Sequence, residues 1–200
     1  MKNNKIIIAT HNKDKLSEMK QKLDSLDIKV FSLFDFPEIK DIPETGETLN
    51  ENAMIKAKTV FELTGIPALS DDTGLEVDAL NGQPGVYSAR WAGENCSYQD
   101  NVDKMIDEIK SIPKDSRQAQ FRTVMAFVDQ KMEHLESGCI KGEILDESKG
   151  VGGFGYDPVF YIPMERKTFA EMSKVEKGKI SHRGKALAKI VNFLKTYYEN

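Results

Sequence analysis

The stretch "IIIATHNKDKLSEMKQKLDSL", residues 6–26, joins an apolar segment to a polar turn and then to an amphipathic segment. The apolar run at residues 6–9 predicts a buried strand. Beyond the turn, apolar residues recur at helical spacing, at Leu16, Met19, Leu23 and Leu26. This spacing predicts a helix over residues 13–26. The chain therefore opens with a strand, a polar turn and a helix.

The remaining sequence continues this alternation of strands and helices. In chain order, we expect a helix at 48–64, a strand followed by a tight acidic turn at 70–74 and a second strand, a helix at 101–110, an antiparallel pair of strands at 119–130 and 134–145, and a last helix from Ser181. Strands interleaved with helices, together with one antiparallel pair, predict an α/β fold with a mixed sheet.

Composition limits the class of protein. A chain of 200 residues, 40% hydrophobic and 30% charged, is expected to form one domain over residues 1–200, whole or split into two lobes. No apolar run approaches the roughly 18 residues of a membrane helix, and no export signal precedes the first strand, so we expect a cytoplasmic protein without membrane contact. Cys96 and Cys139 indicate neither a zinc site nor a disulfide framework. The net charge of −4 argues against nucleic-acid binding.

Two segments place cations where a helix is expected to begin. Lys13 and Lys15 lie at the first of these helix starts, although the positive end of the helix dipole disfavours cations. A phosphate bound by the unpaired N–H groups there would reverse this penalty. The second segment, residues 177–185, carries Lys177, Lys179, His182, Arg183 and Lys185. In both segments the alternative is a solvated basic surface. In the first segment, Asn12 would then be an ordinary helix cap.

Acidic side chains cluster in two further segments. In an extended chain, Asp71 and Asp72 would point to opposite faces, so that one enters a site while the other supports it. Glu44 and Glu47 come from a separate loop, and carboxylates that converge from two loops are the oxygen ligands that Mg²⁺ prefers. The alternative is that both acidic segments are solvated turns.

The glycine-rich segment "GGFGYDP", residues 152–158, contains Phe154, Tyr156 and Asp157. Aromatic faces can stack on nucleobases, and a carboxylate can accept a hydrogen bond from a ring N–H. The alternative is an aromatic core strand after a glycine turn. Arg90, in a separate segment, is a candidate phosphate contact or the partner of an acid.

Six segments, taken in order, resemble the inosine/xanthosine triphosphate pyrophosphatase family, and the likeness runs from about residue 5 to 195. They are "THNKDK", "ETGETLNENAMIKA", "SDDTGLEVDAL", "PGVYSARWAG", "GGFGYDPVF" and "EKGKISHRGKAL". The resemblance implies an elongated mixed sheet flanked by helices, with two lobes around a central cleft, usually as a homodimer. It also implies Mg²⁺-dependent hydrolysis of the deaminated purine nucleoside triphosphates ITP, dITP and XTP to the monophosphate and pyrophosphate.

The resemblance assigns roles to individual residues. Asp72 matches the catalytic base and, together with Glu44, the Mg²⁺ ligands, while Asp71 and Arg90 match supporting positions. The residues that match substrate contacts are Thr10, His11, Asn12, Lys13, Asp14, Lys15, Lys56, Thr73, Phe154, Gly155, Tyr156, Asp157, Lys177, His182 and Arg183. His11 stands where glycine is frequent in the family.

Two other kinds of protein stay open from the sequence. The related septum-inhibition protein family cleaves other nucleoside triphosphates on a similar fold, although the "SHR" and "FGYDP" segments argue against it. A non-catalytic nucleotide- or RNA-binding module would bind nucleotide in Mg²⁺ without releasing pyrophosphate, and the acidic net charge disfavours RNA.

Overall fold

The computed structural model describes residues 4–199, which form a mixed β-sheet with flanking helices. In chain order the strands and helices are β1 (Lys5–Ile8), α1 (Lys13–Leu23), β2 (Lys29–Ser32), α2 (Leu49–Thr64), β3 (Ala68–Val77), β4 (Pro84–Gly85), α3 (Tyr98–Ile109), β5 (Gln118–Val128), β6 (Glu133–Ile144), β7 (Phe160–Ile162), β8 (Lys167–Thr168), α4 (Lys174–Ile180) and α5 (His182–Glu199). Across residues 4–199, no helix is long and apolar enough to cross a membrane.

The sheet order is β2-β1-β3-β5-β6-β7-β8, with β4 paired to β3. β1 runs parallel to both of its neighbours, β2 and β3. β4 is antiparallel to β3, and β7 is antiparallel to both β6 and β8. The predicted α/β fold with a mixed sheet flanked by helices is therefore confirmed.

The chain divides into two compact units. The first unit contains residues up to 72, residues 123–137 and residues from 186 onward, and the second contains residues 73–122 and 138–185. The sequence-based expectation of a single domain arranged around a cleft stays a prediction.

The core of the first unit forms because β1 is apolar without interruption. Ile6, Ile7 and Ile8 are all fully buried, as expected for a strand with parallel neighbours on both sides. Met19 and Leu23 of α1 and the apolar residues of α5 pack against the same cluster. The spacing that predicted α1 is therefore the spacing of its buried face.

The core of the second unit is more aromatic. Phe121 of β5 lies with its ring centroid 4.6 Å from that of Phe160, and Phe160 lies 5.3 Å from Phe169. Met105 and Ile109 of α3 complete this cluster from the helical side. Such aromatic pairs contribute about 0.5 to 1.5 kcal/mol beyond the area they bury.

Two sequence-based predictions are wrong. The tight acidic turn expected at 70–74 is absent, because β3 continues through these residues and buries most of them. The last helix, α5, begins at His182, close to the predicted Ser181, but Lys177 and Lys179 do not lie at its start: they lie in the last turn of a separate short helix, α4. Both lysines therefore lie at a helix end that favours cations, rather than against the helix dipole.

Candidate functional site

The turn before α1 is organised by side-chain hydrogen bonds to the backbone. Asn12 is the N-cap of α1, and its Oδ1 accepts hydrogen bonds from the amides of Asp14 at 3.0 Å and Lys15 at 3.1 Å. Thr10 Oγ1 accepts a hydrogen bond from the amide of Asn12 at 3.2 Å. The capping alternative for Asn12 is confirmed, and it fixes the direction in which the first turn of α1 presents its side chains.

The two lysines of this turn have different environments. Lys13 is exposed, whereas Nζ of Lys15 lies 3.2 Å from Oδ2 of Asp71, whose side chain is fully buried in β3. Lys15 is therefore not part of a solvated basic surface. His11 turns to a different partner, since its Nδ1 lies 3.0 Å from Oδ1 of Asp41.

Lys56 of α2 brings two of the predicted carboxylates together. Its Nζ lies 2.5 Å from Oε1 of Glu44 and 3.2 Å from Oδ1 of Asp72. Asp71 and Asp72 are consecutive in an extended strand and contact lysines of different helices, as expected for side chains on opposite faces. We call Lys15, Glu44, Lys56, Asp71 and Asp72 the carboxylate–lysine cluster.

Burial and charge shift the pKa values within the carboxylate–lysine cluster. Burial raises the pKa of the Asp72 carboxyl, and this effect outweighs the opposing charges of Lys56 and Lys15. Burial alone would lower the pKa of Lys56, but the charges of Asp72, Glu44 and Asp71 outweigh it and raise that pKa. Lys56 therefore remains an ammonium group, while Asp72 has the raised pKa that suits a proton acceptor.

The donor set of this cluster fits Mg²⁺. Among residues 4–199, no three His, Cys, Asp or Glu side chains form a group able to hold a metal ion. Mg²⁺ commonly takes only one or two protein carboxylates and completes its shell with water and phosphate oxygens. Oδ2 of Asp72 is buried and has no hydrogen-bond partner among the described residues, so it is an acceptor available to a cation. Glu47 has an exposed side chain, and its amide donates to Glu51.

Asp157 organises the second group of predicted residues, which lies in the second unit. Its Oδ2 accepts hydrogen bonds from the amide of Phe154 at 2.9 Å and from Nζ of Lys177 at 2.5 Å. Asp157 and Lys177 are both buried. The Asp157 carboxylate thus closes a turn within the glycine-rich segment and links this segment to α4.

Cations surround the Phe154 ring. Nζ of Lys177 lies 4.7 Å from the ring centroid, and Cζ of Arg183 lies 5.4 Å from it. The ring of Tyr98, at the start of α3, lies 5.9 Å from the same ring. We call Thr73, Phe154, Asp157, Lys177 and Arg183 the Phe154 cluster.

The start of α5 is buried rather than solvated. Arg183 is 2% exposed, and its Nη2 donates to Oγ1 of Thr73 at 3.2 Å. The ring of His182 stacks on Phe121, with centroids 4.5 Å apart. Nζ of Lys185 donates to the carbonyl of Cys139 at 2.9 Å. The solvated-surface alternative is therefore wrong for Lys177, His182 and Arg183, whereas Lys179 and Lys185 are exposed.

The remaining predicted residues have separate environments. Tyr156 is buried in the core and its hydroxyl donates to the carbonyl of Ser88 at 3.0 Å, so the core alternative is confirmed for this ring. Burial raises the pKa of its phenol. Gly155 has a φ of +62°, a conformation that favours glycine. The guanidinium of Arg90 lies 5.3 Å from the Tyr87 ring centroid. Asp14 is exposed in the first turn of α1.

Sequence reasoning missed three residues that contact the predicted site residues or the loop that carries one of them. Tyr98 and Phe121 contact Phe154 and His182 across long sequence separations, and nothing local in the sequence signals either pairing. Asn52 accepts a hydrogen bond from the loop that contains Glu44. A polar residue among the buried positions of α2 was the available signal for Asn52.

Comparison with known proteins covers almost the whole chain. A family model described as the Ham1 family matches residues 6–193. A dITP/XTP pyrophosphatase from Thermoanaerobacter sp. (strain X514) is 47% identical over 190 residues, which are 95% of this chain and 96% of the relative.

Two solved structures share the fold. The Staphylococcus aureus Ham1 protein has a TM-score of 0.88 at 38% identity and covers 97% of this chain and 100% of its own. A HAM1 protein from Coxiella burnetii has a TM-score of 0.89 at 40% identity, over 96% of this chain and 98% of its own. The matched range contains every residue of the carboxylate–lysine cluster and of the Phe154 cluster.

Proposed function

Because this chain belongs to the Ham1 family, we propose that it is a nucleoside triphosphate pyrophosphatase that hydrolyses ITP, dITP and XTP to the monophosphate and pyrophosphate. The observation that carries the proposal is the contact of Lys56 with both Glu44 and Asp72 in a chain so closely related to a dITP/XTP pyrophosphatase. Two carboxylates and an ammonium group held together in this way provide both ligands for a cation and a charge for phosphate.

The carboxylate–lysine cluster supplies the groups that phosphate hydrolysis requires. Lys15 and Lys56 donate to phosphate oxygens, and the positive end of the α1 dipole favours the same anion. The Asp72 carboxylate orients a water molecule and accepts its proton as the water attacks the α-phosphorus. Lys15 also contacts Asp71, the neighbour of Asp72 in β3.

Glu44 and Asp72 would hold Mg²⁺, which when bound neutralises the charge that develops on the pyrophosphate leaving group. The support for this assignment is the available acceptor Oδ2 of Asp72 and the resemblance of the surrounding segments to the pyrophosphatase family. Lys56 already contacts both carboxylates, so it limits their mutual repulsion.

The Phe154 cluster supplies the groups for the base. The Phe154 ring offers a face for a purine, and Arg183, together with the adjacent His182 outside the cluster, provides donors that suit the 6-keto group. A 6-amino group would leave such donors unpaired, which costs about 1 to 3 kcal/mol for each buried group. Adenine nucleotides are therefore poor substrates.

Two properties of the assembled protein complete the proposal. The chain acts as a homodimer, as the resemblance to the pyrophosphatase family implies, and it works in the cytoplasm, where nucleotide pools are found. Sedimentation velocity of the purified protein measures the first property directly: a single species at the mass of one chain would contradict it.

A panel of substrates tests the proposed function. Pyrophosphate release with Mg²⁺ is measured for ITP, dITP and XTP and compared with ATP, GTP, CTP and UTP. We expect pyrophosphate release from the first three at rates at least about tenfold above that from ATP, because one unpaired polar group can produce this ratio, and slower release from GTP, CTP and UTP. Tight nucleotide binding without pyrophosphate release would instead identify a binding module, and a preference for other nucleotides would contradict the substrate class.

A further inference from the structure

Asn52 is a fully buried side chain of α2 that holds the loop carrying Glu44. Its Oδ1 accepts a hydrogen bond from the amide of Gly46 at 2.8 Å. Because a backbone N–H can only donate, the oxygen of the Asn52 amide must face the loop. Asn52 and Lys56 are four residues apart and therefore share one face of the helix. From this face Lys56 binds the carboxylate of Glu44 and Asn52 binds the backbone two residues later.

The loop rests directly on the first turn of α2. A Cβ atom added at Gly46 would lie 2.5 Å from Cβ of Glu51 and 2.8 Å from Oδ1 of Asn52, so no side chain fits there. The carboxylate of Glu51 also accepts hydrogen bonds from the amides of Glu47 and Thr48, at 2.7 and 3.0 Å. The backbone that follows Glu44 is therefore fixed at three successive amides.

A second buried asparagine has a hydrogen bond at both of its polar side-chain atoms. Asn101 of α3 accepts a hydrogen bond from the amide of Ala92 at 2.8 Å, and its Nδ2 donates to the carbonyl of Ala89 at 3.2 Å. Nδ2 of Asn52, in contrast, is buried and has no hydrogen-bond partner among residues 4–199. A buried donor without a partner is costly, so the residue at position 52 is not explained by helix or loop stability alone.

The electrostatics of the cluster explain why an amide stands at this position. The carboxylate–lysine cluster already contains three carboxylates, Glu44, Asp71 and Asp72, against two lysines. An aspartate at position 52 would accept the same hydrogen bond but would add a fourth negative charge. An asparagine accepts the hydrogen bond without that charge.

We propose that Asn52 is a positioning residue for Glu44, which it holds in place through the amide of Gly46. This inference rests on the proposed function, in which Glu44 is a ligand of the catalytic Mg²⁺. Asn52 itself contacts neither the metal nor the nucleotide. Residues that orient metal ligands in this way typically change metal affinity or activity by about 10- to 100-fold when they are removed.

The test compares Asn52→Ala with Asn101→Ala, which removes a buried, loop-binding amide from the second unit. Hydrogen exchange of the Gly46 amide is measured in metal-free protein, and binding of Mn²⁺, as a probe of the metal site, is measured by electron paramagnetic resonance. We expect Asn52→Ala to speed Gly46 exchange and to weaken Mn²⁺ binding about 10-fold or more. Asn101→Ala should change neither quantity, although both variants lose thermal stability.

A conservative variant separates positioning from folding. Asn52→Asp keeps the acceptor, so the Gly46 amide should stay as protected as in the parent protein, even if Asn52→Ala does not fold. Fast Gly46 exchange in a folded Asn52→Asp protein would overturn the proposal, and so would unchanged Mn²⁺ binding in Asn52→Ala. If the parent protein releases no pyrophosphate while these results hold, the proposed function fails and the positioning role stands.

Discussion

Nζ of Lys15 lies 3.2 Å from Oδ2 of Asp71, and this contact joins the first turn of α1 to the middle of β3. The Asp71 side chain is fully buried, and the Lys15 side chain is mostly buried. A buried carboxylate needs a cation or hydrogen-bond donors close to it, because transfer of its charge out of water is costly. The positive charge of Lys15, although unfavourable at the start of a helix, therefore compensates the buried negative charge of Asp71.

Replacing Lys15 should destabilise the protein more than replacing the neighbouring lysine. Lys15→Met leaves the Asp71 carboxylate without its ammonium partner, and we expect a loss of about 1 to 3 kcal/mol in the free energy of unfolding. Lys13→Met is the matched control, because Lys13 is exposed, and it should stay within about 0.5 kcal/mol of the parent protein. Urea denaturation measures both free energies of unfolding. Equal losses in the two variants would show that Lys15 does not stabilise the buried Asp71 carboxylate.

Removing Lys56 should make stability depend on pH. The positive charge of Lys56 opposes the rise in the Asp72 pKa, so Lys56→Met raises that pKa further. A carboxyl group with a raised pKa in the folded state contributes stability that is complete below its ordinary pKa of 3.8 and is lost as pH rises through the folded value. The metal-free variant should therefore lose stability relative to the parent protein as pH rises from acid to neutral. The measurement is the Tm of both proteins over that pH range. A constant difference in Tm between the parent protein and Lys56→Met would contradict this prediction.

Two neighbouring glycines allow a matched test of the Phe154 cluster. Gly153 and Gly155 both have positive φ, at +72° and +62°, so alanine costs about 1 to 2 kcal/mol at either position. A Cβ at Gly153 would also collide with Oδ2 of Asp157, whereas a Cβ at Gly155 has nothing within 4 Å. We expect Gly153→Ala to raise the KM for ITP much more than Gly155→Ala, because only the first displaces Asp157 from Phe154 and Lys177. Similar KM values for the two variants would show that the Asp157 contacts do not organise the site.

Glu176 should titrate well below an ordinary glutamate. Its carboxylate accepts a hydrogen bond from the amide of Ser173 at 2.8 Å at the start of α4, and the pKa of Glu176 falls to about 2, chiefly because of this bond. A lowered pKa gives stability that is present above the ordinary value of 4.5 and is lost as pH falls through about 2. An NMR titration of the side-chain carboxyl should show this value. A midpoint near 4.5 would mean that the cap does not form in solution.

The sequence predicts the parts of the fold that depend on local patterns. The apolar run of β1, the helical spacing of α1 and the capping box at Thr48 before α2 all depend on residues a few positions apart. The mixed sheet and the elements with strong local patterns were therefore predictable, whereas the short elements β2, β8 and α4 were not predicted. The turn at 70–74 was predicted from two aspartates and a glycine, which are typical of exposed turns. In the structure, lysines from distant parts of the chain contact both aspartates, so these residues lie in a buried strand instead.

The candidate site is less predictable because its contacts join distant residues. Asp72 and Lys56 are 16 positions apart, and Arg183 and Thr73 are 110 positions apart. No periodicity relates such residues. The separate helix α4 was not predicted from the sequence, although the start of α5 beside Ser181 was.

We propose that Asp72 promotes attack of water on the α-phosphorus of ITP, which breaks the bond between the α-phosphate and the pyrophosphate leaving group. The most direct measurement is ³¹P NMR of the products of ITP and Mg²⁺ with the parent protein and with Asp72→Asn, which keeps the shape of the side chain but cannot accept a proton. We predict inosine monophosphate and pyrophosphate from the parent protein and a rate at least about 100-fold lower from the folded variant. Inosine diphosphate and free phosphate as products, or a fully active Asp72→Asn protein, would contradict the account.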